Sequence, residues 1–269
     1  MMREGKIPDP PDGLEVLTLA RRPDLQPLAR ALDPAVLPRF ITHDAMVGRY
    51  WNRLYDVFPD FQIAVCEGEE VVASGNCIPV SWGGTVEGLP SEVLDAVLEQ
   101  GMLDASRERS PTAVSALFAV VSREHQGRGL SRVVLGAMKA VAAEHGLGDL
   151  IAPVRPTLKE RYPLTPMERY VEWVREDRLP FDPWLRVHRR MVAEILRVAP
   201  RSMLVTGTIS EWEEWTDMRF PDSGEYVIPG ALQPVVMDVG EDVETYEEPN
   251  VWVRHVVRPS EEGGEIAPG

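Results

Sequence analysis

Between residues 112 and 154 the apolar pattern changes period twice. Thr112 to Val121 (TAVSALFAVV) is almost continuously apolar, as expected of a strand covered on both faces. Leu130 to Glu144 instead gathers Leu130, Val133, Val134, Ala137, Met138 and Val141 on one helical stripe, with Arg132, Lys139 and Glu144 turned elsewhere. His145-Gly146 stops that helix, and Leu150 to Val154 is again a short buried strand.

The flanking pattern adds a strand at Leu14 to Leu19, a short helix from Pro23 to Leu32, and a helix from Thr42 to Val57. The last carries Met46, Val47, Tyr50, Leu54 and Val57 at helical spacing. Phe61 to Cys66 and Val71 to Pro79 read as a hairpin around Glu67-Gly68-Glu69-Glu70. Ser81 to Gly84 is a loop, and Ser91 caps a helix that runs to Gln100 and stops at Gly101. Further on, Thr165-Pro166-Met167-Glu168 and Ser210-Glu211-Trp212-Glu213 have the form of capping boxes. Asp182-Pro183 opens a long helix that turns Leu185, Val192 and Leu196 inward. Met203 to Thr208, Gly224 to Ile228, Val235 to Val239 and Val251 to Val257 are late strands, whereas the acidic run Glu241 to Glu248 reads as a solvated loop. No internal repeat is evident. The expected organisation is a flexible N-terminus over 1–13, one domain over 14–257, and a disordered tail over 258–269.

Composition narrows the class. With 269 residues, 44% of them hydrophobic, the chain can bury one sizeable core or two small ones. It has no apolar run of about 18 residues to span a membrane, and its polar, proline-rich start lacks a signal-peptide core, so a cytoplasmic location is the default. Cys66 and Cys77 are too few for a disulfide framework or a thiolate metal site, and the hairpin register keeps them apart. The net charge of −15 argues against nucleic acid. That charge is segmented: −8 over residues 1–121, +5 over 122–201 and −12 over 202–269. A positive middle suits a small anionic ligand, although solvated helix faces would produce the same count.

The segment joining the apolar strand to the amphipathic helix is Ser122-Arg123-Glu124-His125-Gln126-Gly127-Arg128-Gly129-Leu130-Ser131. A glycine-rich turn feeding a helix N-terminus directs unpaired amides and the positive end of the helix dipole at one point, which suits phosphate. A P-loop is excluded because no lysine follows the glycines, and a dinucleotide fingerprint because Arg132 stands at its third glycine. What remains, Gln126, Gly129 and Ser131 in a Q-x-x-G-x-S pattern, resembles the acyl-CoA pyrophosphate loop of the GNAT acyltransferase superfamily. Ser131 departs mildly from the usual glycine or alanine. The likeness is most specific over 112–154 and looser over 14–80.

The resemblance implies an α/β (α+β) fold with a mixed, mostly antiparallel central sheet flanked by helices. A minimal member is about half this length, so helical insertions are expected at about 87–111 and 157–200. It implies that Phe118, Val120 and Val121 pair with pantetheine, and that Gln126, Gly127, Arg128, Gly129, Leu130 and Ser131 hold the pyrophosphate of acetyl-CoA or another acyl-CoA. The implied reaction moves the acyl group to the amine of a small molecule, without metal, nucleic acid or membrane, and a homodimer is open.

Such a transfer needs proton removal from the amine, a donor for the thioester oxygen and a proton for the departing thiolate. A main-chain N–H near Val120 or Val121 is the candidate donor. The family often places a tyrosine acid on the helix after its fifth strand, so the resemblance makes Tyr162 the first candidate acid and Tyr170 the second. No carboxylate lies between Ser115 and Val121, which leaves a water relay or a remote Glu124 or Glu168 as base. Arg155, Lys159 and Arg161 could hold an acidic group or form a solvated face, and Trp82, Arg155 and Trp173 are candidate substrate contacts, with Tyr170 and Trp184 as further wall residues. His43 and His188 lack partners at metal-ligand spacing, and His125, in the glycine loop, could contact phosphate or be an incidental loop residue. The missing carboxylate keeps a second reading alive, a non-catalytic acyl-CoA-binding or sensing protein.

Overall fold

A computed structural model describes residues 13–32 and 37–257. The termini expected to be flexible or disordered lie, apart from Gly13, outside the described residues. The chain opens with β1 (Leu14–Thr18), α1 (Gln26–Arg30), a single-turn helix at Arg39–His43, α2 (Ala45–Val57), β2 (Gln62–Glu67) and β3 (Glu70–Val80). It continues with α3 (Val93–Ser106), β4 (Ala113–Val121), α4 (Leu130–Glu144), β5 (Asp149–Val154), α5 (Met167–Tyr170) and α6 (Pro183–Arg190). The last third holds β6 (Glu194–Gly207), α7 (Ile209–Thr216), β7 (Gly224–Tyr226), β8 (Val235–Met237) and β9 (Glu244–Val256).

Seven strands form the main sheet in the order β1-β2-β3-β4-β5-β9-β6, and β7 and β8 make a separate ribbon. Every pairing in the main sheet is antiparallel except β4 with β5. The mixed, mostly antiparallel sheet flanked by helices is therefore as the sequence implies. Burial on both faces explains why β4 reads as an unbroken apolar run, at least through Ala116. The amphipathic stripe of α4 lies on the sheet so closely that a Cβ at Gly75 would come within 2.5 Å of Val134 and 2.7 Å of Met138. Glycine in mid-strand is required there by the helix above it.

The parallel pair is incomplete. Hydrogen-bonded register joins Ala113, Val114 and Ser115 to Asp149, Leu150 and Ile151, and then stops. Leu117 is an extra residue against β3, since Ala116 faces Cys77 and Phe118 faces Asn76. This bulge turns β4 away from β5. The two strands fork, and β4 continues to Val121 paired only with β3.

Three expectations are corrected in the last third. The helix opened by Asp182 ends at Arg190, so Val192 is 89% exposed and Leu196 lies in β6 rather than on an inward helical stripe. The reason is a left-handed Val192 (φ +64°) whose neighbour Ala193 donates to the His188 carbonyl, a helix end that no glycine announces. The acidic run is not a solvated loop. From Glu244 it becomes the first half of β9, with Glu244 and Glu248 buried, because their side chains alternate inward to specific partners. The capping box of α7 is Thr208 with Glu211, two residues before the expected Ser210. Both cysteines are free and buried.

Candidate active site

The fork between β4 and β5 opens into a cleft of about 1220 Å³. One end is built by the β4–α4 connection. Gly127 (φ +79°) and Gly129 (φ +81°) both take left-handed backbone, which explains why glycine recurs there. Gly129 is the N-cap of α4 and no side chain caps that helix, leaving first-turn amides free of side-chain partners. Gln126, Gly127, Gly129, Leu130 and Ser131 line the cleft, as do Phe118, Val120 and Val121 on the stretch of β4 whose β5-side edge is unpaired. Arg132 lines it too, its guanidinium 3.3 Å from where a Gly129 Cβ would stand.

The loop is fastened from outside. Glu67, at the end of β2, accepts two hydrogen bonds from Arg128 (2.7 and 2.8 Å), and His125 lies 3.4 Å from the same carboxylate while its Nδ1 meets Ser122 Oγ at 2.7 Å. Bonding to Arg128 lowers the Glu67 pKa. The Arg128 side chain, expected as a phosphate cation, is instead engaged by Glu67 and does not line the cleft. Arg132, which the sequence pattern places off the apolar stripe of α4, supplies the cation that lines the cleft at the loop.

The other end is assembled from distant segments. Ile41 and Thr42 come from the first single-turn helix, Val47 and Trp51 from α2, Leu94 from α3, Met203 from β6, and Glu248 and Asn250 from β9. Trp51 and Phe118 meet edge-to-face, centroids 6.1 Å apart. At the floor Glu248, fully buried, accepts from Arg155 Nε at 2.7 Å and from the Tyr246 hydroxyl at 3.1 Å. Arg155 also donates to the Gly230 carbonyl at 2.5 Å. Burial would lower the Arg155 pKa, but Glu248 outweighs it and raises the value. Asn250, 5% exposed, donates to Ser202 Oγ at 2.8 Å and has no partner for Oδ1. Along one side Pro183, Trp184, Val187 and Arg190 present a face of α6. Among the described lining residues the charged groups are Arg30, Arg132, Arg155, Arg190 and Glu248, so the cleft is net positive, and three of its four arginines come from the positive middle of the chain.

Other expected site residues lie outside the cleft. Tyr170 is buried, donates to Asp182 at 3.0 Å, and has its pKa raised by burial and then by that carboxylate. Asp182 also caps α6 through Trp184 N and Leu185 N, so Tyr170 fixes an N-cap. Tyr162, 36% exposed, packs with Tyr170, Trp173 and Phe181 in an aromatic cluster, and none of the four lines the cleft. Trp82 is buried under Arg254 and donates to the Thr85 carbonyl at 3.0 Å. The structure thus does not bring Tyr162 and Tyr170, expected as acids, or Trp82 and Trp173, expected as substrate contacts, to the lining of the cleft. Lys159 is buried with its ammonium on the Tyr162 and Leu232 carbonyls, and burial lowers its pKa to about 8. Glu124 and Glu168 do not line the cleft, whereas Arg155 and Trp184 do. Sequence reasoning missed Trp51, Glu248, Asn250 and Arg190, which carry no local motif.

Among the described residues no group of three or more His, Cys, Asp or Glu is placed to hold a metal ion, and no helix is long and apolar enough to cross a membrane. No family model matches the chain. The chain is 32% identical over 280 residues to the arginine N-acetyltransferase avaD of Aspergillus versicolor, covering 92% of this chain and 95% of that protein. Two solved structures share the fold at lower identity. The loading GNATL domain of CurA from Lyngbya majuscula superposes with a TM-score of 0.58 at 17% identity, covering 91% of this chain and 96% of that one. The GphF GNAT-like decarboxylase in complex with isobutyryl-CoA superposes with a TM-score of 0.56 at 16% identity, covering 91% of this chain and 100% of that one.

Proposed function

The chain belongs to the GNAT superfamily and moves an acyl group from acyl-CoA to an amine, and from that premise we propose that the acyl group is acetyl and the accepting nitrogen is one of arginine's. The acceptor is suggested by the Aspergillus relative, which is an arginine N-acetyltransferase. The observation that carries the site assignment is the unpartnered edge of β4 leading into the glycine loop. Leu117 to Val121 offer main-chain donors and acceptors to an extended arm, and the amides of Gly127 to Ser131 then meet an anionic group at the start of α4.

Acyl-CoA supplies an activated thioester when bound. This chain's own residues do the rest: Arg132 adds charge at the phosphate end, and a main-chain N–H near Val120 or Val121 donates to the thioester oxygen. Glu248 is engaged by Arg155 and Tyr246, so in this reading it orients the floor of the site and leaves proton removal from the amine to water in the cleft.

Calorimetric titration with acetyl-CoA, followed by free-thiol release in the presence of L-arginine, tests the reading. We expect saturable binding and arginine-dependent thiol. Absence of binding overturns the site. Binding with no thiol release against arginine sinks the acceptor assignment, and the same result across a panel of amines favours a protein that binds acyl-CoA without turning it over.

A further inference from the structure

The end of the cleft away from the glycine loop has a composition that neither a bare amine nor an acyl chain matches. Its wall is apolar: Ile41, Val47, Trp51, Leu94, Phe118 and Met203, drawn from five separate elements. Ile41, Leu94 and Met203 are at most 8% exposed, and the half-buried Trp51 and Phe118 rings meet at 77°. Its floor is polar but internally balanced, because the Glu248 carboxylate is already neutralised by Arg155. Among the described lining residues no other carboxylate is present, so a cationic acceptor finds no free countercharge and must be held through its other groups. A saturated acyl chain would cover the wall, but it would leave the Arg155–Glu248 pair and Asn250 facing hydrocarbon, where polar groups lose their water without replacement. Sites of this make-up take molecules that are themselves mixed, with an apolar body held by the walls and a few polar atoms fixed by converging groups.

We propose that the amine acceptor is amphipathic, carrying an apolar, preferably aromatic, group beside its nitrogen-bearing part, and that the Trp51–Phe118–Met203 wall selects that group. The inference rests on the acyl-transfer reading above and goes beyond the identity of the accepting nitrogen. It makes the side chains of the wall a specificity determinant for the acceptor: at Phe118 the main chain belongs to the β4 edge that meets the co-substrate, and the ring, against Trp51, belongs to the wall.

The test is steady-state thiol release from acetyl-CoA with L-arginine, with L-arginine β-naphthylamide, and with the guanidine-free pair phenethylamine and ethylamine. The apolar member of each pair should show a KM lower by about ten-fold or more, the order expected for removing roughly 60 Å² of apolar surface from water. Trp51→Ala and the volume-matched Met203→Gln should each erase most of that advantage while the acetyl-CoA KM moves less than about two-fold. Two variants are used because Trp51→Ala also weakens α2 packing, and circular dichroism reports whether each folds. A phenethylamine preference with no turnover of either arginine compound sustains this inference and sinks the arginine reading. Equal KM values within both pairs overturn it, as do variants that weaken both members equally. A rise in kcat/KM on replacing acetyl-CoA by hexanoyl-CoA, abolished by Trp51→Ala, assigns the wall to the acyl donor and also overturns it.

Discussion

The two ends of the cleft are made by different means. The glycine-loop end is one continuous stretch of chain, Leu117 to Arg132, and what it offers a ligand is mostly main chain: a strand edge, two left-handed glycines and the amides at the start of α4. The opposite end draws single side chains from positions between 41 and 250, and its polar floor exists because Arg155 and Glu248, 93 residues apart, are brought together where β5 ends beside β9. Recognition by main chain confines which residues can stand at each position, and so it writes a motif. Recognition by side chains borrowed from several elements is held by topology and writes none.

The contrast predicts that damage to the polar floor of the far end falls on the fold, and damage at the loop falls on the co-substrate. Glu248→Gln removes the countercharge from the largely buried Arg155 and should cost about 3 kcal/mol of stability by denaturant unfolding, with little change in acetyl-CoA affinity for whatever remains folded. A cost below about 1 kcal/mol would mean the floor is not a structural joint. Gly129→Val asks a β-branched residue to take φ +81° beside Arg132 and should weaken acetyl-CoA binding about a hundred-fold by calorimetry. Retention of affinity would mean that the loop amides are not the anchor.

Acid should separate the two ends more gently. His188 on α6 and His255 on β9 are buried and share a 2.9 Å contact. Burial lowers their pKa values to about 3 and about 4, with His255 adding to the effect on His188 and Lys139 to that on His255. The folded state then resists protons that the unfolded chain accepts below about 6.5, so the stability these residues contribute is complete above that pH and is lost as pH falls toward 4. Asp95, raised to about 7 by burial and then by Asp44, has the opposite sign: its stabilisation is present at low pH and fades toward pH 7. Comparing wild type with His255→Gln across pH 4–7 cancels Asp95, and the variant should show the shallower acid limb. Parallel limbs would remove the histidines as the cause. The smallest effect is a gain. Val192→Gly at the left-handed end of α6 should add about 1 kcal/mol, and an unchanged unfolding midpoint would show that the end is relaxed by other means.

The same distinction accounts for what could be read beforehand. The β4–loop–α4–β5 segment was legible because period, glycine position and helix stripe agree within about 40 residues. Arg128 misled because an exposed cation next to glycines looks like a phosphate ligand until Glu67, 61 positions earlier, is seen to hold it. Tyr162 and Tyr170 misled because they were assigned through the resemblance, and only the tertiary cluster with Trp173 and Phe181 shows where they pack. The start of β9 was hidden by charge. Glu244, Tyr246 and Glu248 do alternate, as a half-buried strand should, but a glutamate faces inward only when a partner such as Arg155 waits there.

The unpartnered edge of β4 also makes the protein's lifetime depend on its surroundings. Amides from Leu117 to Val121 that have no strand on the β5 side are open to solvent exchange and local fraying. A co-substrate that pairs with them binds only the folded chain, and by mass action it adds about 2.7 kcal/mol of stability at a concentration one hundred times its dissociation constant. Resistance to proteolysis and to heat should therefore climb with the logarithm of acyl-CoA concentration, so that a well-supplied cell keeps more of this enzyme intact than a starved one.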